Sequence, residues 1–342
     1  MKTRKGVLIA GVLLAVVLSA LPERSRAETT LEMAYMPIVP CSQLFVIQGM
    51  GWAKDAGINL ELTRFSNGPA IVQAIASGKM DMMCFGIGPA MVTRAKGIEL
   101  KVIGAGIVEQ IAVIAQGDLV KYFDQQSTSA AALQAFTKDK GRKPKIASFP
   151  KGSVPDTVTR HWILRSMGMS LDDVELIGMG ASQVQQALLS RSVDAAGILE
   201  PILTIVESKL AGAKVVARAD EMMPGQPGST IAAREKIIAK HRDALVKYME
   251  LHIKATKLLI EEPEKAAPYV AEFVAKGLID VATIQKSLQS PSSNFRSDPA
   301  GILEQTAYMA KFQKSEKIKT KVSTDGLFDL TIYTDAARNV GN

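Results

Sequence analysis

A nine-residue stretch of this chain aligns without a gap on a second stretch 113 positions further on. Gln73-Ala74-Ile75-Ala76-Ser77-Gly78-Lys79-Met80-Asp81 aligns on Gln186-Ala187-Leu188-Leu189-Ser190-Arg191-Ser192-Val193-Asp194. Gln, Ala, Ser and Asp stand at the same places in both copies, and the other positions mostly keep their apolar or polar character. The surroundings extend the match. Leu31 to Met36 and Lys145 to Phe149 are short apolar runs about one offset apart, and each leads through Pro and Ser into a helical pattern. Gly57 and Gly168 end those two patterns, as suits a residue that tolerates the left-handed conformation after a C-cap. A duplicated supersecondary unit of this kind predicts two lobes, each beginning strand, helix, strand, helix, strand.

Residues 1–27 are set aside as a cleavable signal peptide. Lys2, Arg4 and Lys5 precede an apolar run from Val7 to Leu21, and Ser25-Arg26-Ala27 offers small residues at the cleavage site. The run is shorter than the roughly 20 residues a spanning helix needs, so the expectation is an exported, soluble, periplasmic chain. The leader carries +4 of the formal net charge of +7, leaving +3 on 315 residues. So small an excess, with no basic block or interleaved aromatics, gives no case for nucleic acid. Cys41 and Cys84 are the only cysteines. They lie near the ends of neighbouring strands, and both a disulfide and two buried thiols are open, the thiols being the expectation. His161, His241 and His252 share no metal-ligand spacing, so neither a metal nor a cofactor is expected.

Along the chain, strands are expected at Leu31–Met36, Ile58–Phe65, Met80–Phe85, Lys101–Ala105 and Ile111–Ala115, then at Lys145–Phe149, Val174–Met179, Val193–Leu199 and Lys214–Arg218. Ser42 is placed to cap a helix running to about Ala56. The near-continuous apolar character of Met80–Phe85 fits a parallel sheet covered on both faces. The expected division is residues 28–119 for the first part of lobe 1 and 120–222 for lobe 2. Residues 223–342 then return to lobe 1 as C-terminal helices, with everything beyond about Glu235 helical. Crossings near Gly117–Val120 and Arg218–Gly225 would form a two-strand hinge. The fold class is α/β, with two doubly wound lobes.

In an open parallel sheet, ligands sit beyond the carboxyl ends of the strands. The loops there are Pro40-Cys41-Ser42, Ser66-Asn67-Gly68 and Gly86-Ile87-Gly88 in one lobe, and Lys151-Gly152-Ser153, Met179-Gly180 and Glu200-Pro201 in the other. Several open helices, so backbone N–H groups and positive dipole ends are expected to face one cleft suited to a small anion. One helix terminus supplies only about 0.3–1 kcal/mol, whereas micromolar binding needs about 8, so side-chain donors must help. Lys151 is the best-placed cation, and a solvated loop lysine is the competing reading. Glu200 either receives a ligand ammonium or favours the adjoining helix start. No Gly-x-Ser-x-Gly elbow is present and no histidine falls on a cleft loop, so no catalytic residue is expected.

The leader, the paired lobes and these motifs resemble the periplasmic substrate-binding proteins of ABC importers for nitrate, taurine and alkanesulfonates. The most specific pieces are Ser66-Asn67-Gly68-Pro69 with Ala74, Ser77-Gly78-Lys79-Met80-Asp81, Gly152-Ser153 before a helix, and Val193-Asp194 followed by Glu200-Pro201. The resemblance implies a type II periplasmic binding protein, a monomer that closes over a small-molecule ligand and delivers it to an inner-membrane permease with its ATPase. It maps binding loops onto Cys41, Ser42, Asn67, Gly68, Ile87, Gly88, Ser153 and Glu200. No side-chain arrangement selects sulfonate over nitrate, carboxylate or a pyrimidine. Proteins that make the thiamine pyrimidine share this fold, and a sensory receptor would too. Met83-Cys84-Phe85-Gly86 lacks the clustered cysteines of the pyrimidine-synthesis motif, and export also counts against that enzyme.

Overall fold

The computed structural model of the chain describes residues 28–275 and 278–341, and the expected leader, 1–27, lies outside the described residues. Twelve strands are present among them. β1 (Thr29–Tyr35), β2 (Ile58–Arg64), β3 (Met82–Gly86) and β4 (Leu100–Ala105) come first, then the short β5 (Ile107–Val108). β6 (Ala112–Ala115), β7 (Lys145–Ser148), β8 (Glu175–Gly178), β9 (Ala195–Ile198) and β10 (Lys214–Ala217) follow, with β11 (Ser229–Arg234) and β12 (Asn294–Phe295) last. They form two five-stranded sheets, β2-β1-β3-β11-β4 and β10-β6-β9-β7-β8, and β12 pairs with β5.

β1 runs parallel to β2 and β3, and β7 runs parallel to β8 and β9. One strand in each sheet opposes its neighbours: β11 lies antiparallel between β3 and β4, and β6 lies antiparallel between β9 and β10. Each is the first strand laid down after the chain has crossed from the other sheet. Helices cover the sheets. Phe45, Tyr248 and Leu31 fill the first lobe and Trp162, Phe136 and Ile146 the second, all essentially inaccessible. Each such apolar side chain contributes roughly 1.5–3 kcal/mol on burial.

The sequence repeat has a structural cause. Asn67 and Gly180 are the N-caps of the helices Gly68–Ala76 and Ala181–Leu189. Those helices end the same way: Ser77 N donates to Gln73 O and Ser190 N to Gln186 O, and Gly78 (φ +78°) and Arg191 (φ +58°) then turn left-handed. Asp81 N donates to Glu32 O while Glu32 N reaches the Asp81 carboxylate at 3.5 Å. Asp194 N donates to Lys145 O, and Lys145 N donates to its carboxylate at 2.7 Å. The repeated aspartate therefore docks the entry of one strand onto its neighbour in both lobes.

Three expectations are corrected. Ser42 to Ala56 is two helices, Ser42–Gly49 and Trp52–Asp55, because Gly51 sits at φ +74° between them. Ile111–Ala115 belongs to the second sheet as β6, so the first crossing is Gly106–Gln110 and not Gly117–Val120. β11 was not expected at all, and it stands one place from the edge of the first sheet. The C-terminal part also serves both lobes. The helix Thr331–Val340 packs on the helix Glu235–Glu261, but Leu303–Ser315 packs on the helix Val154–His161 of the second lobe, with the His161 and Phe312 rings 5.0 Å apart.

Three segments meet where the lobes join. Glu109, left-handed at φ +56°, accepts from Gly225 N (2.9 Å) and Asn294 Nδ2 (3.2 Å), and its own N–H donates to Gln226 O (2.9 Å). A clasp of both crossings and the β5–β12 pair thus joins the lobes.

Candidate functional site

A cavity of about 260 Å³ lies between the lobes at the carboxyl ends of the strands. The first lobe lines it with Met36, Asn67, Gly68, Phe85, Pro89 and Lys96, and the second with Phe149, Lys151, Gly152 and Ser153. A second cavity of about 820 Å³, bordered by Arg64, Asn67, Gly178 and Gln183, shares Met36, Asn67 and Gly180 with it. Inward, a void of about 10 Å³ reaches the buried Gln110 and Ser229. Phe85, Pro89, Phe149 and Ser153 line both the void and the cavity. A separate depression of about 420 Å³ at Gly57, His241 and Lys247 lies at none of the strands' carboxyl ends.

Local sequence explains how the lining is set. Asn67 caps its helix, its Oδ1 accepting from Ala70 N at 3.0 Å, and Ser153 caps Val154–His161 by accepting from Asp156 N at 3.3 Å. Asp156 does not close a reciprocal box on Ser153. It reaches one residue further, accepting from Gly152 N (2.8 Å) and from Arg160 Nε (2.8 Å). Burial pushes its carboxyl above the usual range, against the pull of Arg160 and the Gly152 N–H. Gly68 is required because a Cβ there would stand 2.8 Å from the Phe85 ring and 2.9 Å from Pro89.

The other expected residues are not among those that line the cavity. Cys41 and Ser42 are fully buried, because the 3₁₀ turn Val39–Cys41 rolls both side chains inward. Ser42 Oγ donates to Val39 O at 2.6 Å, and Cys41 Sγ to Cys84 O at 3.1 Å. Ile87 N donates to Gly228 O (3.0 Å), and Gly88 backs onto the Gly152 carbonyl. Glu200 is 2% exposed, and its carboxylate accepts from Thr204 N at 3.1 Å in the helix Ile202–Lys209. Burial raises its pKa, opposed by hydrogen bonds from Ser290 and Thr204. Asn67, Gly68, Lys151 and Ser153 share the cavity, whereas Cys41, Ser42, Ile87, Gly88 and Glu200 are not among its lining residues.

The supply of backbone donors is smaller than the loop sequences suggest. The helices Gly68–Ala76, Ile87–Ala95 and Val154–His161 each carry a proline in the first turn, Pro69, Pro89 and Pro155, which has no N–H to give. Ala70 N, Ile87 N and Asp156 N are already engaged. Positive charge at the site comes from side chains instead. Lys96, Lys151, Lys319 and Lys321 all line the cavity, and no Asp or Glu does. Sequence reasoning missed Lys96, Lys319 and Lys321. Nothing in the local pattern around Lys317–Lys321 distinguishes it from a solvated run.

Among the described residues no cluster of His, Cys, Asp and Glu is built to hold a metal ion, and no helix is long and apolar enough to cross a membrane.

Comparison with known proteins agrees with this architecture. A Bacillus subtilis (strain 168) protein assigned by its name to aliphatic sulfonates is 27% identical over 300 residues, 86% of this chain and 85% of its own length. The alkanesulfonate-binding protein SsuA from Xanthomonas axonopodis pv. citri, bound to MOPS, has the same fold, with a TM-score of 0.70 at 16% identity over 89% of this chain and 99% of its own. The periplasmic nitrate-binding protein NrtA from Synechocystis PCC 6803 gives a TM-score of 0.75 at 13% identity over 91% and 89%. The two-lobed α/β fold expected from the repeat is the fold of these binding proteins. The model of the NMT1-like family matches residues 24–275, and this chain belongs to that family.

Proposed function

We propose that the chain is the periplasmic solute-binding component of an ABC importer, taking a small anion into the cleft between its lobes. The observation that carries this is the interlobe cavity, which Lys151 and three further lysines line without a carboxylate among the lining residues. On this reading the protein is an exported monomer without catalytic activity. It closes on its solute by rotation about the Glu109 clasp and presents the closed form to a permease and its ATPase. Names of relatives support it, with aliphatic sulfonates in one and nitrate in another. Lys151 and Ser153 hold the solute from the second lobe, and Asn67 and Gly68 border it from the first.

Thermal-shift screening of residues 28–342 against sulfonates, nitrate, aromatic acids and pyrimidines tests the reading. A saturable shift with an anion, without turnover, is the expected result. Turnover of a pyrimidine would reassign the protein as an enzyme. Lys151→Met keeps the side-chain stem and removes the charge. Binding of the identified anion within about twofold of wild type, roughly 0.4 kcal/mol, would leave Lys151 a solvated loop lysine.

A further inference from the structure

The segment after the helix Leu303–Ser315 passes the cavity and is fastened to both lobes. On the second lobe, Gln313 Nε2 donates to Thr157 Oγ1 (2.6 Å) and Gly152 O (3.2 Å), while Gln313 O accepts from Ile318 N (2.9 Å) and Lys319 N (3.2 Å). On the first lobe, Ser323 N donates to Met91 O (3.1 Å), Arg94 Nε to Asp325 O (3.1 Å) and Lys101 Nζ to Gly326 O (2.6 Å). Lys319 and Lys321 lie between these anchors and line the cavity. Gly152 makes room for the first of them. Its φ is +85°, and a Cβ there would lie 2.9 Å from Lys319 Cδ.

With Lys96 and Lys151, the strap completes a collar of four lysines drawn from three parts of the chain. Among the described residues none of the four forms an ion pair. Like charges gathered at one cavity raise the energy of the closed form until a counter-charge joins them. Much of the remaining wall is apolar, made by Met36, Val72, Phe85, Pro89 and Phe149. The cavity, at about 260 Å³, is several times the share of about 30 Å³ that one water occupies in the liquid, so an inorganic oxyanion would leave most of the apolar wall uncovered. At the floor, Gln110 is 2% exposed and its Oε1 has no partner. It lines the void that continues the cavity inward.

We propose that the strap is part of the binding site and that the solute is an amphiphilic organic anion. Its charged group sits among Lys151, Lys319 and Lys321, its apolar body lies against Phe85 and Phe149, and its far end faces Gln110. This rests on the solute-capture reading above and narrows it to one chemical class.

The test is calorimetric titration of residues 28–342 with hexanesulfonate, hexanoate, hexanol, hexylammonium and sodium nitrate, at low and high salt. The two six-carbon anions are expected to bind at least tenfold more tightly than hexanol, hexylammonium or nitrate, and less tightly as salt rises. Lys319→Met combined with Lys321→Met should weaken hexanesulfonate at least tenfold and leave the melting temperature in place. Lys314→Met, an exposed lysine on the preceding helix, removes a like charge and should change nothing. Nitrate binding as tightly as hexanesulfonate overturns the organic class, and a double variant within twofold of wild type removes the strap from the site. Preference for hexanol or hexylammonium overturns the anionic class while leaving solute capture intact. Silence with every probe also overturns the inference, and the broader solute screen then decides capture separately.

Discussion

A Cβ on Gly88 would lie 3.0 Å from the carbonyl oxygen of Gly152, so the two lobes meet there backbone to backbone. Nearby, a Cβ on Gly86 would stand 3.3 Å from Val154 Cγ2. Glycine at 88 is needed for close approach and not for conformation, since it lies in the first turn of the helix Ile87–Ala95. Gly88→Val should therefore fold with little loss, a helix-propensity change of under about 1 kcal/mol, yet prop the cleft open. Small-angle scattering should show a larger radius of gyration than wild type under saturating solute. Equal radii, with binding confirmed, would mean that closure does not need this contact.

At the Glu109 clasp the prediction turns on sign. Glu109 holds a left-handed backbone, which costs a side-chain-bearing residue roughly 1–2 kcal/mol, and its carboxylate offsets this by accepting from Gly225 N and Asn294 Nδ2. Glu109→Ala loses those bonds and keeps the strain. Glu109→Gly loses the same bonds and relieves it. Urea denaturation should rank wild type above the glycine variant, and the glycine variant above the alanine variant by about 1 kcal/mol. An alanine variant as stable as the glycine one would show that the clasp relaxes locally.

The lobes were legible because their organisation is local and repeated. The apolar runs and the caps at Asn67 and Ser153 lie within a few residues of the turns they build, and the aspartates at 81 and 194 stand in the same place after their helix ends at Ser77 and Ser190. β11 was not legible. Ser229-Thr230-Ile231-Ala232-Ala233-Arg234 has a weak pattern of its own, and its burial comes from insertion between β3 and β4. Ser42 shows another limit, since a cap-forming residue type does not reveal which way its hydroxyl faces. The strap lysines depend on a contact between Gln313 and Gly152, 161 positions apart. No local signal encodes such a contact.

Buried His252 should make the fold acid-sensitive. Its Nε2 lies 2.6 Å from Ala105 O and it is fully inaccessible, and burial lowers its pKa from 6.5 to about 4. Above pH 6.5 neither the folded nor the unfolded chain protonates this ring, and its contribution is complete. Between pH 6.5 and about 4 the unfolded chain takes up a proton that the native site refuses, so stability falls with pH, by about 3 kcal/mol at 1.36 per unit. His161 is lowered by burial too and acts in the same direction, while the raised carboxyls of Asp156 and Glu200 act in the opposite one. Comparison with His252→Gln cancels these shared contributions. Denaturation at several pH values should show the wild type losing more stability than the variant across this window, and parallel curves would show that His252 is not the source.

The duplicated aspartates should not be energetically equal. Asp194 accepts from Lys145 N at 2.7 Å and takes a two-pronged contact from Arg142, at 2.7 Å from Nη1 and 2.8 Å from Nη2. The Arg142 guanidinium also lies 4.9 Å from the centre of the Phe136 ring, which ties the strand entry to the helix Ser129–Lys140. Asp81 meets Glu32 N at 3.5 Å and Lys236 at 3.9 Å, both at the limit of useful contact. Paired, charge-assisted hydrogen bonds are worth about 1.5–3 kcal/mol, to be discounted here because the Arg142 side chain is 47% exposed and solvent screens it. Asp194→Asn should then cost about 2 kcal/mol and Asp81→Asn under about 1, at pH 7. Adding Arg142→Met to Asp194→Asn should cost less than the sum of the two single losses, since each breaks the same contact. Equal losses for the two aspartates, or strict additivity in the cycle, would show that the second lobe is not held by the Arg142 contact, and that the repeated residue serves both lobes only through its backbone exchange.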